Sequence, residues 1–143
     1  MRSPVELTEA FRLQGLKVTP QRQCIFRIMV DAELHPTADW VYERAVAEMP
    51  TISLRTVYQT LNDLAAMGEI RALDLGTGSA RFDPNVDTHQ HLVCTRCGLV
   101  RDVYTPGAGV EVPAGLIHGF RIDATEIVFR GLCADCADAG RDD

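Results

Sequence analysis

The sequence predicts an α+β fold arranged as two small domains. Two observations carry this reading. The first half holds four apolar runs of helical period, each with a capping residue, followed by a short Gly-centred hairpin. The second half holds strand-like runs that carry two C-x-x-C pairs. At 143 residues the chain is long enough for two modest cores. The turn-rich DPNVDT separates the halves, so residues 1–83 are expected as one domain, 84–88 as a hinge and 89–143 as the second domain.

The elements follow in order. Leu7, Ala10, Phe11 and Gln14 recur at helical spacing over 5–14, and Gly15 ends that helix. In VTPQRQCIFRIMV, Thr19 is an N-cap and Pro20 suits the first helical position. Thr37 caps a third helix whose apolar stripe is Trp40, Val41, Ala45 and Met49, and Pro50 stops it. The fourth is the most clearly drawn: Ser53 caps it, Val57, Leu61, Leu64 and Ala65 form the buried face, and Gly68 takes the left-handed position after its end. EIRALDLGTGSARFD then reads as a β-hairpin around Gly76, Thr77 and Gly78. Short helices followed by a hairpin form a winged helix-turn-helix, whose last helix enters the DNA major groove while the hairpin lies along the backbone. Beyond the hinge, HLVC and GLVRDVY are expected strands around a Cys94 to Cys97 knuckle, with one or two more in FRIDATEIVFRGLC. PGAGVEVPAG is too rich in Gly and Pro for a long helix, leaving at most one turn in AGLIHG.

Charge qualifies the DNA reading without opposing it. The formal net charge is −6, but residues 1–81 carry 9 Lys plus Arg against 10 Asp plus Glu, whereas 82–143 carry 5 against 10. The acidity belongs to the half that holds the ligand-type residues. No run approaches 18 apolar residues, and MRSPVELTEAF has charges where a secretory leader needs an apolar core, so a cytoplasmic chain with no membrane partner is expected.

Five cysteines in such a chain read as metal ligands or redox thiols rather than a disulfide framework. Cys94, Cys97, Cys133 and Cys136 are the ligand set of a closed, tetrahedral structural zinc site. Cys24 lies in an apolar helical run and is expected as a small buried hydrophobe. THQHLVCTRCG places His89 and His91 beside two of these cysteines, close enough to suggest one compact site. Side chains alternate along a strand, however, so His89 and His91 share one side and Cys94, three residues on, faces the other. With the cysteines used by zinc, the histidines need other partners, and Asp83, Asp102 and His35 are of the right type. Imidazole with carboxylate suits Fe(II), Mn(II) or Zn(II) with more than four ligands. A His35 ligand would join the two domains and couple metal supply to their orientation.

VTPQR, HPTAD, TVYQTLNDL followed by MG, ARFD, HQHLVCTRCG and GLCADC together resemble the ferric uptake regulator (Fur) superfamily of metal-dependent repressors, over about Gly15 to Cys136. HQHLVCTRCG with the downstream C-x-x-C is the most specific of these. The chain is most similar to the peroxide-responsive repressor branch, since iron-uptake regulators usually have Glu where this chain has Asp83, and many have Glu at Asp102. A zinc-uptake regulator typically offers a Cys ligand in this region.

The resemblance implies a regulatory metal held by His35, Asp83, His89, His91 and Asp102. It further implies a homodimer on double-stranded operator DNA, loaded with Fe(II) or Mn(II), and peroxide as signal through oxidation of His35 or His89. DNA contacts are expected from Ser53, Arg55, Thr56, Tyr58 and Gln59, with Lys17 and Arg22 on phosphates. Two departures stand out: PGAGVEVPAG replaces what in many members is a longer dimerisation helix, and Gln59 stands where relatives carry Arg or Asn. Gln can still read adenine. His118 is expected in a surface turn outside both sites.

Three other readings fit part of the sequence. An iron or manganese uptake regulator would share everything but the peroxide response. A small metallohydrolase lacks an H-E-x-x-H pattern and an evident general base, so enzymatic activity is not expected. A zinc-ribbon interaction module without DNA binding does not account for the capped fourth helix and hairpin.

Overall fold

The structure, a computed structural model, describes residues 1–32, 35–76, 78–106 and 110–140. Thr77 of the hairpin turn and residues 107–109 of the Gly/Pro-rich run lie outside the described residues. The chain divides into two compact units, Met1–Asp87 and Thr88–Asp143.

Four helices open the first unit: α1 (Pro4–Leu13), α2 (Pro20–Val30), α3 (Ala38–Glu48) and α4 (Leu54–Ala66). Each has a hydroxyl cap. Ser3, Thr19, Thr37 and Ser53 accept from the backbone N–H of Glu6, Arg22, Trp40 and Thr56, satisfying donors that the first turn leaves open. α1 starts one residue before the expected 5–14 because Ser3 and Glu6 close a reciprocal capping box around Pro4. α4 ends in a Schellman motif: Gly68 sits at φ +75° and donates to Ala65, while Glu69 donates to Leu64.

The helices bury one another. Leu7, Phe11, Ile25, Phe26, Met29, Val41, Val57, Leu61 and Leu64 are fully buried, and the Phe11 and Phe26 rings meet edge to face at 4.8 Å. Cys24 is buried among them and its thiol donates to Glu48 Oε2 at 3.4 Å. Burial first, and then Glu48, push that thiol above its ordinary range. After α4 come β1 (Arg71–Leu73) and β2 (Arg81–Asp83), antiparallel with Arg71 opposite Asp83 and Leu73 opposite Arg81. The other side of β2 is occupied by the segment ahead of α3: Thr37 bridges Arg81, and Phe82 N–H donates to the Pro36 carbonyl at 2.9 Å.

The second unit is built on a three-stranded sheet of order β4-β3-β5, from β3 (Gln90–Cys94), β4 (Val100–Val103) and β5 (Val128–Gly131). β3 pairs antiparallel with β4, placing His91 opposite Asp102, and parallel with β5, placing Cys94 opposite Gly131. A single 3-10 turn at Ala114–Leu116 is all the helix between β4 and β5 among the described residues, and α5 (Ala134–Ala139) follows β5. FRIDATEIVFRGLC yields one strand, with 120–127 irregular. There Arg121 turns to Asp123 two residues on, at 2.9 Å, and Asp-Ala-Thr interrupts the apolar alternation a strand would need. No helix among the described residues is long and apolar enough to cross a membrane.

Leu61→Ala should destabilise the first unit by about 2–5 kcal/mol through a cavity between the helices. Tyr58→Ala, on the exposed side of the same helix, should stay within about 0.5 kcal/mol. Urea unfolding followed by helix signal separates the two.

Candidate functional site

The cysteine cluster is assembled by main-chain bonds around the turn after β3. Cys94 N–H donates to Leu99, Gly98 N–H returns to the Cys94 carbonyl, and Gly98 adopts φ +77°. The turn is fastened to the far end of the unit by Thr95 N–H to Gly131, 2.8 Å, and by Arg96 Nη1 to the Cys136 carbonyl, 2.9 Å. Cys133 is the N-cap residue of α5 and Cys136 lies one turn into it.

The four sulfurs fall within 4.8 Å of one another, and Cys97 and Cys133 are 3.7 Å apart. A tetrahedral ion with bonds of about 2.3 Å to sulfur has ligand separations of about 3.8 Å. The protons tell the same story. N–H donors of Cys133 and then Cys97 hold the Cys94 thiol at about 5, whereas the neighbouring Cys133 sulfur and then burial push Cys136 up to about 12. Four thiolates at this spacing require a cation to neutralise them, so the residues fit a structural metal.

On the same strand a second donor set gathers. His89 precedes β3 and His91 lies within it, yet both present Nε2 to one oxygen of Asp102, at 3.3 and 3.5 Å. Both imidazoles are buried, and their rings meet at 4.6 Å. Tyr104, one residue past β4, lays its ring beside His89 at 5.5 Å. Two donors at about 2.1 Å from an ion and at right angles are about 3.0 Å apart, close to these separations, so the three side chains could hold a metal ion.

The first unit contributes a pair of its own. Asp83, the last residue of β2, points Oδ2 at His35 Nε2, 3.1 Å away, while Oδ1 accepts from Asn85 N–H at 2.9 Å. Both residues are buried, with His35 5% and Asp83 2% exposed. A buried carboxylate facing an imidazole is the chemistry of a hard cation site or of a protonated ion pair. His118, exposed and at φ +48° in the turn before Gly119, stands outside these sets.

The outer side of α4 carries Ser53, Arg55, Tyr58 and Gln59 exposed, with Thr56 half-buried and its hydroxyl 3.0 Å from that of Ser53. Val57, Thr60, Leu61 and Leu64 hold the inner side. Lys17 is exposed. Arg22, expected on a phosphate, pairs with Asp63 at 3.1 Å, donates to the Lys17 carbonyl at 3.2 Å and stacks over the Phe11 ring. Its side chain is only 17% exposed. Sequence reasoning did not reach Tyr104 beside His89, nor Arg81, whose Nη1 donates to the His35 carbonyl at 3.1 Å. Their signal lay in strand pairing, which no local pattern states.

A family model described as "Ferric uptake regulator family" matches residues 13–129. The peroxide-responsive repressor PerR of Staphylococcus epidermidis is 33% identical over 136 residues, covering 94% of this chain and 91% of that protein. Among solved structures, the Helicobacter pylori ferric uptake regulator Fur superposes with a TM-score of 0.75 at 17% identity, covering 92% of this chain and 89% of that one. A zinc-bound manganese uptake regulator superposes with a TM-score of 0.67 at 29% identity, covering 92% and 99%.

Replacing Cys133 by Ser should release zinc and unfold the second unit, read as lost metal content and lost sheet signal. Asp83→Ala should leave helix content and zinc untouched while abolishing metal-dependent DNA binding. An Asp83→Ala protein that still bound DNA only with metal would exclude Asp83 as a ligand.

Proposed function

We propose, from the premise that this chain belongs to the ferric uptake regulator family, that it is a metal-dependent transcriptional repressor that binds operator DNA as a dimer and is released by peroxide. Regulators of this kind act on DNA and are not enzymes. The observation that carries the reading is the presence of two donor sets of different hardness in one chain, four thiolates in one and imidazoles with carboxylates in the other. Thiolates retain Zn(II) as scaffold, while the harder set takes Fe(II) or Mn(II) reversibly, which is what a sensor of metal supply requires.

In this reading His35 and Asp83 of the first unit and His89, His91 and Asp102 of the second ligate one ion. Two donors or three alone leave a first-row cation short of its preferred number, and five approach it. An ion that needs ligands from both units ties the DNA-reading unit to the other, so occupancy biases the arrangement competent for DNA. Held by these residues, Fe(II) would supply the electrons that peroxide takes up, chemistry that Mn(II) does not readily offer. His35 and His89 are the imidazoles exposed to the resulting oxidation. Oxygen added to the ring carbon between the nitrogens would turn the donor nitrogen into an amide-like N–H with no lone pair for the ion, and loss of one ligand lowers affinity for the ion and, through it, for DNA.

On the DNA side, Ser53, Arg55, Thr56, Tyr58 and Gln59 form the recognition surface of α4, with Gln59 suited to adenine. Lys17 reaches a phosphate, and Arg22 holds the Lys17 backbone in place while adding its own charge. Such a protein works in the cytoplasm, where its operator is. Residues 1–83 serve as the DNA-binding domain, 84–88 as the hinge and 89–143 as the dimerisation and metal-binding domain. The 29% identity to a manganese uptake regulator favours a second reading, a regulator of metal uptake with no peroxide response.

Operator binding of the Fe(II)-loaded and Mn(II)-loaded proteins, measured before and after peroxide, separates the two. The Fe(II) form should lose DNA while gaining oxygen on the peptides holding His35 or His89, and the Mn(II) form should keep its DNA. Equal behaviour of the two forms would remove the peroxide mechanism and leave the uptake regulator.

A further inference from the structure

The direction of the His35 imidazole is set from outside its own segment. His35 and Pro36 belong to no helix or strand, and Pro36 has no N–H to give a neighbouring strand. What holds them is β2. Phe82 N–H bonds the Pro36 carbonyl, Thr37 lies opposite Arg81, and the Arg81 guanidinium donates to the His35 carbonyl at 3.1 Å. That carbonyl carbon is bonded directly to the Cα that bears the imidazole. The donor is charged, so the bond is stronger than a neutral one would be. Arg81 and Asp83 are two residues apart on the same strand and share its side. One strand therefore supplies both the carboxylate that His35 faces, 3.1 Å from Nε2, and the grip on the His35 backbone.

We propose that Arg81 is the positioning residue of the His35/Asp83 pair: by holding the His35 carbonyl it aims the imidazole at Asp83, so these two donors are arranged before an ion arrives. The proposal rests on the reading above that His35 and Asp83 ligate the sensing metal. A prearranged pair loses less conformational freedom on binding than one that must be gathered by the ion. A further consequence follows from the position of Arg81 on the hairpin: movement of β2 shifts Asp83 and His35 together, so metal affinity answers to the hairpin strand itself.

The test measures Mn(II) affinity by equilibrium dialysis on the full-length, zinc-loaded chain. The variants are Arg81→Met, Arg81→Lys, His35→Ala and the double variant His35→Ala/Arg81→Met. Arg81→Met should weaken Mn(II) binding about 10- to 100-fold, the range for losing a group that orients a ligand. Arg81→Lys should recover part of that loss, because an ammonium can still donate to the carbonyl without the planar fork. In the His35→Ala background, Arg81→Met should cause no further loss, since its effect passes through His35. A loss of the same size in both backgrounds would mark a general effect on the fold and overturn the proposal. Wild-type affinity in Arg81→Met beside a weakened His35→Ala would overturn it alone. Unchanged affinity in His35→Ala would remove the ligand assignment, and the proposal with it.

Discussion

A β-strand turns successive side chains to opposite sides, and the second unit depends on how β3 uses that alternation. Within a few residues it sends imidazoles to Asp102 on one side and a thiol to the knuckle on the other. Because β3 is the central strand, its position is fixed by bonds to β4 and β5 at once. Slipping it by one residue would exchange the two sides and destroy both donor sets together. The register that pairs His91 with Asp102 also brings Cys94 to Gly131, two residues before Cys133. One set of main-chain hydrogen bonds thus places a soft and a hard site without letting them share ligands.

The first unit obeys a different constraint, the packing of four short helices none of which could stand alone in water. Their hydroxyl caps and buried apolar sides fix which side of α4 remains outside. The same core reaches the hairpin through Phe82, which is buried while its neighbours Arg81 and Asp83 turn to the other side of the strand. A hydrophobic anchor in the middle of β2 therefore frees the flanking residues for polar work. The charge distribution is consistent with this division, with acidity gathered in the half that holds most of the cation ligands.

Much of this was legible in the sequence, and for physical reasons. Caps such as Thr19, Thr37 and Ser53 act over three residues, so their pattern is local and readable. The separation of His91 from Cys94 follows from strand period alone, and His89, one residue ahead of the strand, keeps the side of His91. Other features were not local. Of the one or two strands expected in FRIDATEIVFRGLC one forms, and which part of the run pairs is decided by the neighbouring strand β3 rather than by local pattern. Nothing local to Arg22, which is expected on a phosphate, points to its ion pair with Asp63, forty-one residues away. Arg81 gave no sign of its contact with His35, because that contact exists only after a loop has been laid against a strand.

The outer side of α4 has a consequence for how such a protein changes over generations. Ser53 apart, which also caps the helix, the exposed residues there take no part in the core, and Gln59 in particular makes no demand on packing. Substitutions at these positions come at little cost to folding and with no change to any proposed ligand, so under the proposed DNA contacts they could alter which base sequence is read. The inner side, by contrast, leaves no such latitude. Latitude and constraint thus lie on opposite sides of one thirteen-residue helix.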